Sequence, residues 1–370
     1  MILRLVKGVT DDQLRAVCDR VEKQGLRPDV SRGLAETVVG IVGDTSRVDP
    51  GIFSEIDCVE QVIRITRPYK LVSRQYQRKD RIIPLGKTAL GAGRVVVIAG
   101  PCSVESREQV LSVARGIRDA GADALRGGAY KPRSSPYSFQ GLGREGLEYL
   151  AEASRETGLP VVTEATGNHH HQTPGGGTEA ATSLENVVGL AHVLQIGTRN
   201  MKSYGFLEEA ARSTAATGMP VLLKRGESAT LEEFLLAAEY IAHLGNPNVI
   251  LCLRGIRTFE ETKFQRYTSD IAAIPVLKRE SCLPVVFDPS HATGDRALVH
   301  PMALAAVAAG ADGLLIETHE NPREAWSDGK QAVTPGELAR IIADVRRLEG
   351  LAAAASVPSE TQGAPPPPPA

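Results

Sequence analysis

From position 95 onward, short apolar runs recur along the chain, separated by segments patterned for amphipathic helices. Eight runs are present, at 95–99, 122–126, 160–164, 193–197, 220–224, 249–254, 284–288 and 313–317. Each is continuous rather than alternating, as expected of strands buried on both faces of a parallel sheet. Eight strand and helix repeats over about 250 residues predict a closed (β/α)8 TIM barrel covering 95–349. An open doubly wound sheet is the rival fold. It expects a glycine-rich turn after its first strand, whereas here that strand runs into Gly100-Pro101-Cys102.

The first 70 residues follow a different rhythm. A strand at 2–6 precedes a helix at 11–24 that carries Leu14, Val17, Cys18 and Val21 on one face, with Thr10 as its expected N-cap. Strands near 28–31 and 37–42, a short helix around Phe53 and a β-branched run at 59–65 complete a β-α-β-β-α-β order. That order predicts a small ferredoxin-like α+β domain. Residues 71–94 read as a linker. The Ala-rich stretch after Gly350, ending in a proline run before Ala370, reads as a disordered tail.

Charge narrows the function classes. Forty-two Lys and Arg stand against 44 Asp and Glu, a net charge of −2, so no overall field attracts nucleic acid or an anionic membrane. Any anionic ligand must be captured locally. Five scattered cysteines without CxxC spacing, and no signal peptide ahead of them, predict a reduced cytoplasmic setting. Charged residues interrupt every apolar run well short of the roughly 20 residues that cross a bilayer.

Catalytic groups of such barrels sit at the carboxyl ends of the strands, so the residues just beyond each apolar run are informative. Six cations lie there: Arg126, Lys131, Arg133, Arg199, Lys224 and Arg254. Crowded at one barrel mouth they require bound anions or carboxylate partners, and the planar fork of Arg matches phosphate and carboxylate oxygens. The plainer alternative pairs each with an acid on the rim. Cys102, His291, Glu317 and Asp328 form a second group, after strands one, seven and eight, which adjoin once a barrel closes. Mixed S, N and O donors suit Mn, Fe, Co or Zn better than Mg or Ca. Taken singly, each has an ordinary role open to it: Cys102 as a small core residue, His291 as a loop cap, and the two acids as Arg partners.

The segments GPCSVES (100–106), RGGAYKPRSSPYSFQGLG (126–143), QIGTRNM (195–201), LLKRG (222–226) and DPSHATG (288–294) resemble the 3-deoxy-7-phosphoheptulonate (DAHP) synthases. The N-terminal unit resembles the small regulatory domain of one branch of that family. This resemblance implies condensation of phosphoenolpyruvate with erythrose 4-phosphate, the first step toward chorismate and the aromatic amino acids. It implies metal ligation by Cys102, His291, Glu317 and Asp328. Arg126, Lys131, Arg199, Lys224 and Arg254 would then surround phosphoenolpyruvate, and Arg133 and Ser134 would hold the aldose phosphate. Lys131, Cys102 and His291 would carry the chemistry. The same resemblance implies a homo-oligomer, dimer or tetramer, whose N-terminal unit either binds an aromatic amino acid effector between paired copies or serves as a packing or assembly module.

Several positions depart from the family pattern. Ser134 stands where Thr is usual, Thr198 for Ala, Leu253 for Glu and Tyr267 for Asn. The stretch 166–178, with three histidines at 169–171, is longer and more polar than usual and reads as a flexible, solvated loop. Two other readings stay open: a 3-deoxy-octulosonate 8-phosphate synthase, which takes arabinose 5-phosphate, and a catalytically silent regulatory homologue.

Overall fold

The structure is a computed structural model that describes residues 1–32, 37–45, 48–63, 67–131, 137–167, 170–172, 178–259 and 264–355. Arg133, Ser134, His169 and the tail from 356 lie outside the described residues.

The N-terminal unit comprises β1 (Ile2–Leu5), α1 (Asp11–Glu22), β2 (Arg27–Arg32), β3 (Thr37–Val42), α2 (Gly51–Ser54) and β4 (Val59–Ile63). Its sheet order β2-β3-β1-β4, with every pairing antiparallel, is that of the expected ferredoxin-like domain. The Thr10 side chain accepts from the backbone N–H of Gln13, and Gln13 reaches back to the Thr10 N–H, a reciprocal capping box. Leu14, Val17 and Val21 of α1 then pack with Leu3, Leu5, Val39, Ile41 and Phe53 in a core of their own.

The segment expected as a plain linker is structured. It carries a hairpin, β5 (Ile83–Leu85) and β6 (Thr88–Leu90). Ile83, Leu85 and Leu90 are buried in the same cluster as the inward side chains of the barrel, Val96, Ile98, Ala124, Val162, Val193, Leu222, Ile250 and Val286 among them. The hairpin plugs the barrel, and sequence reading missed it because its three residues per strand are too short to display a period.

All eight barrel strands form: β7 (Val96–Gly100), β8 (Ala124–Arg126), β9 (Val161–Ala165), then, beyond a further hairpin of β10 (His170–Gln172) and β11 (Thr178–Thr182), β12 (Val193–Ile196), β13 (Val221–Lys224), β14 (Val249–Leu253), β15 (Val285–Phe287) and β16 (Gly313–Glu317). The barrel closes by pairing β16 with β7 and β9 with β12. The β10–β11 hairpin departs from the expected flexible loop, since its described residues pair with one another. Along β7, Val96 and Ile98 face the interior cluster while Val97 and Ala99 face the helices, so both faces are apolar and the run reads as continuous.

Between the strands lie α3 (Arg107–Asp119), α4 (Arg144–Thr157), α5 (Ser183–Leu190), α6 (Tyr204–Ala215), α7 (Leu231–His243), α8 (Ala273–Glu280), α9 (Pro289–Thr293), α10 (Arg296–Ala308) and finally α11 (Pro335–Ala355). Helix α11 continues past Gly350, so 350–355 belong to it rather than to a tail. No helix among the described residues is long and apolar enough to cross a membrane.

Candidate metal centre and anion pocket

Strand β7 ends at Gly100, whose φ is +148° and where an added Cβ would lie 2.0 Å from the Arg126 carbonyl oxygen. Glycine is needed there because no other residue allows that approach. The tight exit delivers Cys102, only 4% exposed, to the carboxyl end of the barrel. Its Sγ lies 3.2 Å from Asp328 Oδ2 and 3.0 Å from Lys131 Nζ.

His291 arrives on α9, the short helix that follows β15, and Asp288 caps that helix. Asp288 Oδ1 accepts the His291 backbone N–H at 2.8 Å, and its Oδ2 lies 2.8 Å from the ring Nδ1. A carboxylate acceptor places the ring proton on Nδ1 and leaves Nε2 as a donor atom, 3.3 Å from Glu317 Oε1. Glu317, the last residue of β16, takes Arg126 Nη1 at 3.0 Å on Oε1 and Gln331 Nε2 at 2.5 Å on Oε2. Asp328 has φ +52°, the single left-handed non-glycine residue among those described, and Arg266 holds its Oδ1 at 3.2 Å. Such backbone strain is concentrated at functional sites.

One donor atom from each of Cys102, His291, Glu317 and Asp328 lies within 4.8 Å of the others. Burial pushes the Cys102 thiol up to about 11, helped by Glu317 and opposed by Lys131. It also holds the His291 imidazole below its ordinary value, against the pull of Asp288 and Glu317. Burial would raise Asp328, but His291, Arg266 and the Cys102 hydrogen bond hold it down to about 2. Glu317 is likewise held below the usual range, by His291 and Arg126 against burial. Two carboxylates beside a neutral imidazole and an ionisable thiol suit a borderline divalent ion.

Five of the six expected cations, Arg133 lying outside the described residues, are found around this centre. Lys131, Arg199, Lys224 and Arg254 line one cavity together with His291 and Asp328. Arg126 lies behind Glu317, with Nη1 also donating to Pro101 O at 2.7 Å. Rim pairing accounts for only part of the charge. Lys224 Nζ is 2.6 Å from Asp288 Oδ2, and both groups are buried. Arg254 is 5% exposed, stacks over the Tyr267 ring at 4.3 Å and comes no nearer than 3.8 Å to Glu227. Among the described residues, Arg254 Nε and Nη1 and Arg126 Nε have no hydrogen-bond partner. Leaving buried charged donors unpaired costs more than the roughly 1–3 kcal/mol of a neutral group, which an anion in the cavity would recover.

Sequence reasoning missed four cavity or support residues: Glu164, Glu227, Arg266 and Gln331. Glu227 directly follows the LLKRG motif and Arg266 adjoins the departure at Tyr267, whereas Glu164 lies within β9 and Gln331 near no quoted motif. His319, which does follow β16, lies apart from the donor set, with Nε2 3.7 Å from Glu105. Of the departures, Leu253 packs outward in the helix-facing core, away from the cavity. Thr198 lines the cavity. Tyr267 stacks on Arg254 and donates to Glu227 at 2.8 Å.

Fold and site together define a (β/α)8 barrel enzyme class in which S, N and O metal donors adjoin a pocket for anionic substrates. The chain belongs to the DAHP synthetase I family, which matches residues 73–350, and residues 1–67 match the DAHP synthase ferredoxin-like domain. It is 45% identical over 348 residues to the phospho-2-dehydro-3-deoxyheptonate aldolase of Thermotoga maritima, covering 94% of this chain and 97% of that protein. The crystal structure of phospho-2-dehydro-3-deoxyheptonate aldolase (DAHP synthase) from the same organism superposes with a TM-score of 0.70 at 45% identity, over 95% of this chain and 97% of that one. A 2-dehydro-3-deoxyphosphooctonate aldolase from Acidithiobacillus ferrooxidans is 31% identical over 68% of this chain and 89% of its own length.

Proposed function

We propose that this chain condenses phosphoenolpyruvate with erythrose 4-phosphate and water to give 3-deoxy-D-arabino-heptulosonate 7-phosphate and phosphate, the water adding to the former enol carbon as phosphate leaves. One observation carries the reading: the buried Arg254 guanidinium, whose Nε and Nη1 have no hydrogen-bond partner among the described residues, shares a cavity with Lys131 and with His291 and Asp328 of the donor set. Arg126, Arg199, Lys224 and Arg254 bind the carboxylate and phosphate of phosphoenolpyruvate, spreading the charge that builds up as its carbon attacks. Lys131 Nζ, beside Cys102, hydrogen-bonds the aldehyde oxygen and supplies its proton. Arg133 and Ser134 take the aldose phosphate by family resemblance. Cys102, His291, Glu317 and Asp328 hold a divalent ion of the Mn, Fe, Co or Zn kind. When bound, that ion supplies Lewis acidity at the aldehyde.

Phosphate release measured with erythrose 4-phosphate and with arabinose 5-phosphate tests the assignment. Turnover with the four-carbon sugar is expected, and turnover with arabinose 5-phosphate alone would assign the octulosonate reaction instead. No metal binding and no turnover would leave a silent homologue. We further infer that the ferredoxin-like domain binds an aromatic amino acid between paired copies of the chain, in a dimer or tetramer in the cytoplasm. Deleting residues 1–67 should then abolish inhibition by tyrosine or phenylalanine, and inhibition that survives the deletion counts against an effector role.

A further inference from the structure

The loop that presents Asp328 is tied to the rest of the site by residues the reaction does not use. Glu105 follows strand β7 with a side chain only 8% exposed. Its Oε1 accepts the backbone N–H of Trp326 at 2.8 Å and the Ser103 hydroxyl at 3.1 Å. The Ser103 hydroxyl in turn lies 2.7 Å from that of Ser327, both buried. The residues just before the left-handed Asp328 are therefore anchored to the strand exit that carries Cys102. On its other side the Trp326 ring, 61% exposed, meets Phe139 edge to face, at 90° and with 5.1 Å between centroids.

Phe139 lies at the neck of the loop after β8. There the Lys131 N–H donates to Gln140 O at 2.9 Å, and Gly141, with φ +99°, leaves no room for a Cβ against Ala129 O. Lys131 Nζ in turn lies 2.8 Å from Cys102 O and 3.0 Å from Cys102 Sγ. Two ends of one contact path thus reach the donor set: Asp328 through Trp326, and Lys131 through the loop neck.

We propose that Trp326, anchored by Glu105 and capped by Phe139, is a clasp through which the Asp328 donor and the Lys131 neck position one another. Glu105, Trp326 and Phe139 are positioning residues, none of which lines the cavity. This inference rests on the metal-centre reading above. By linkage, coupling felt at one end is felt equally at the other, so metal binding perturbs the aromatic pair and weakening the pair weakens metal binding.

Trp326 is the sole tryptophan of the chain, so its fluorescence reports the clasp without labelling. The full-length protein, stripped of metal, is titrated with Cd²⁺, whose thiolate charge-transfer absorption reports the bond to Cys102 while emission reports Trp326. In the wild type both signals are expected to saturate at one midpoint. Phe139→Ala and Glu105→Gln are expected to weaken the midpoint of the absorption band by about 10-fold or more, the range typical of residues that support metal ligands. Phe139→Tyr, which keeps the ring, restores it, and the turnover lost in Phe139→Ala returns at saturating metal. A wild-type band with unmoving emission would overturn the clasp alone, as would an unchanged midpoint in a Phe139→Ala protein of native circular dichroism. The absence of any band in the wild type would remove the metal reading and the clasp with it.

Discussion

Asp288 Oδ2 lies 2.8 Å from His291 Nδ1 and 2.6 Å from Lys224 Nζ, so one buried carboxylate sets the histidine tautomer and holds a pocket cation. Burial alone would raise its pKa. His291 and Lys224 hold it well below the usual carboxylate range instead. Asp288→Asn keeps the shape but loses the charge. Metal affinity is expected to fall by about 10–100-fold, read by calorimetric titration, since oriented histidine ligands depend on such partners. An unchanged affinity would show that α9 alone orients the ring.

The thiol at Cys102 makes metal binding depend on pH. Burial and Glu317 raise its pKa to about 11, and a thiol must lose its proton to become a thiolate donor. Binding therefore releases a proton, and higher pH favours the bound form. The gain is about tenfold in affinity per pH unit above neutrality. His291 and Asp328, both held below their ordinary values, add no slope there. Titrations at several pH values should show this rise in the wild type, and Cys102→Ser should flatten it.

Arg254 offers a test of the anion pocket. Its Nε and Nη1 are buried without hydrogen-bond partners among the described residues, above a tyrosine ring that fixes the plane of the fork. Arg254→Lys keeps the charge but loses the fork. Charge-assisted hydrogen bonds are worth about 1.5–3 kcal/mol each, so kcat/KM for phosphoenolpyruvate should drop by roughly 10- to 100-fold. The KM for the aldose phosphate should move far less. An equal rise in both would place Arg254 outside the phosphoenolpyruvate subsite.

The plug hairpin has a stability signature. Leu90 is fully buried against the barrel interior, and an added Cβ on Gly313 would lie 2.9 Å from its Cδ2. Leu90→Ala leaves a cavity at the barrel base and is expected to cost about 2–5 kcal/mol, read from denaturant unfolding. Metal affinity at the opposite, carboxyl end should be unaffected. A neutral substitution would mean that the hairpin merely covers the barrel without packing into it.

Much of this architecture was legible in the chain because its signals are local. Burial on both sheet faces leaves a continuous apolar run, and the same repeat eight times over admits few closed solutions, so the barrel and the residues at its strand ends could be read directly. The Thr10 cap and the amphipathic face of α1 likewise depend on neighbours within a turn or two. The donor set Cys102, His291, Glu317 and Asp328 was visible for the same reason: three members sit at or just beyond strand ends.

Support groups were not legible, because their partners are distant in sequence. Gln331 matters only once it reaches Glu317, Arg266 only once it meets Asp328, and Glu105 only where its carboxylate finds Trp326 across 221 residues. The β5–β6 plug is too short to show a period, and its role appears only where the closed strands leave an interior to fill.

The chain by itself determined the barrel, the small α+β domain, and the S, N and O donors beside the cations, since residue type and local period suffice for these. Tertiary structure alone decided which cation is fully hydrogen-bonded and which keeps donors open, because hydrogen-bond satisfaction depends on distances between strands. It placed Lys224 on Asp288 and left Arg254 facing the cavity.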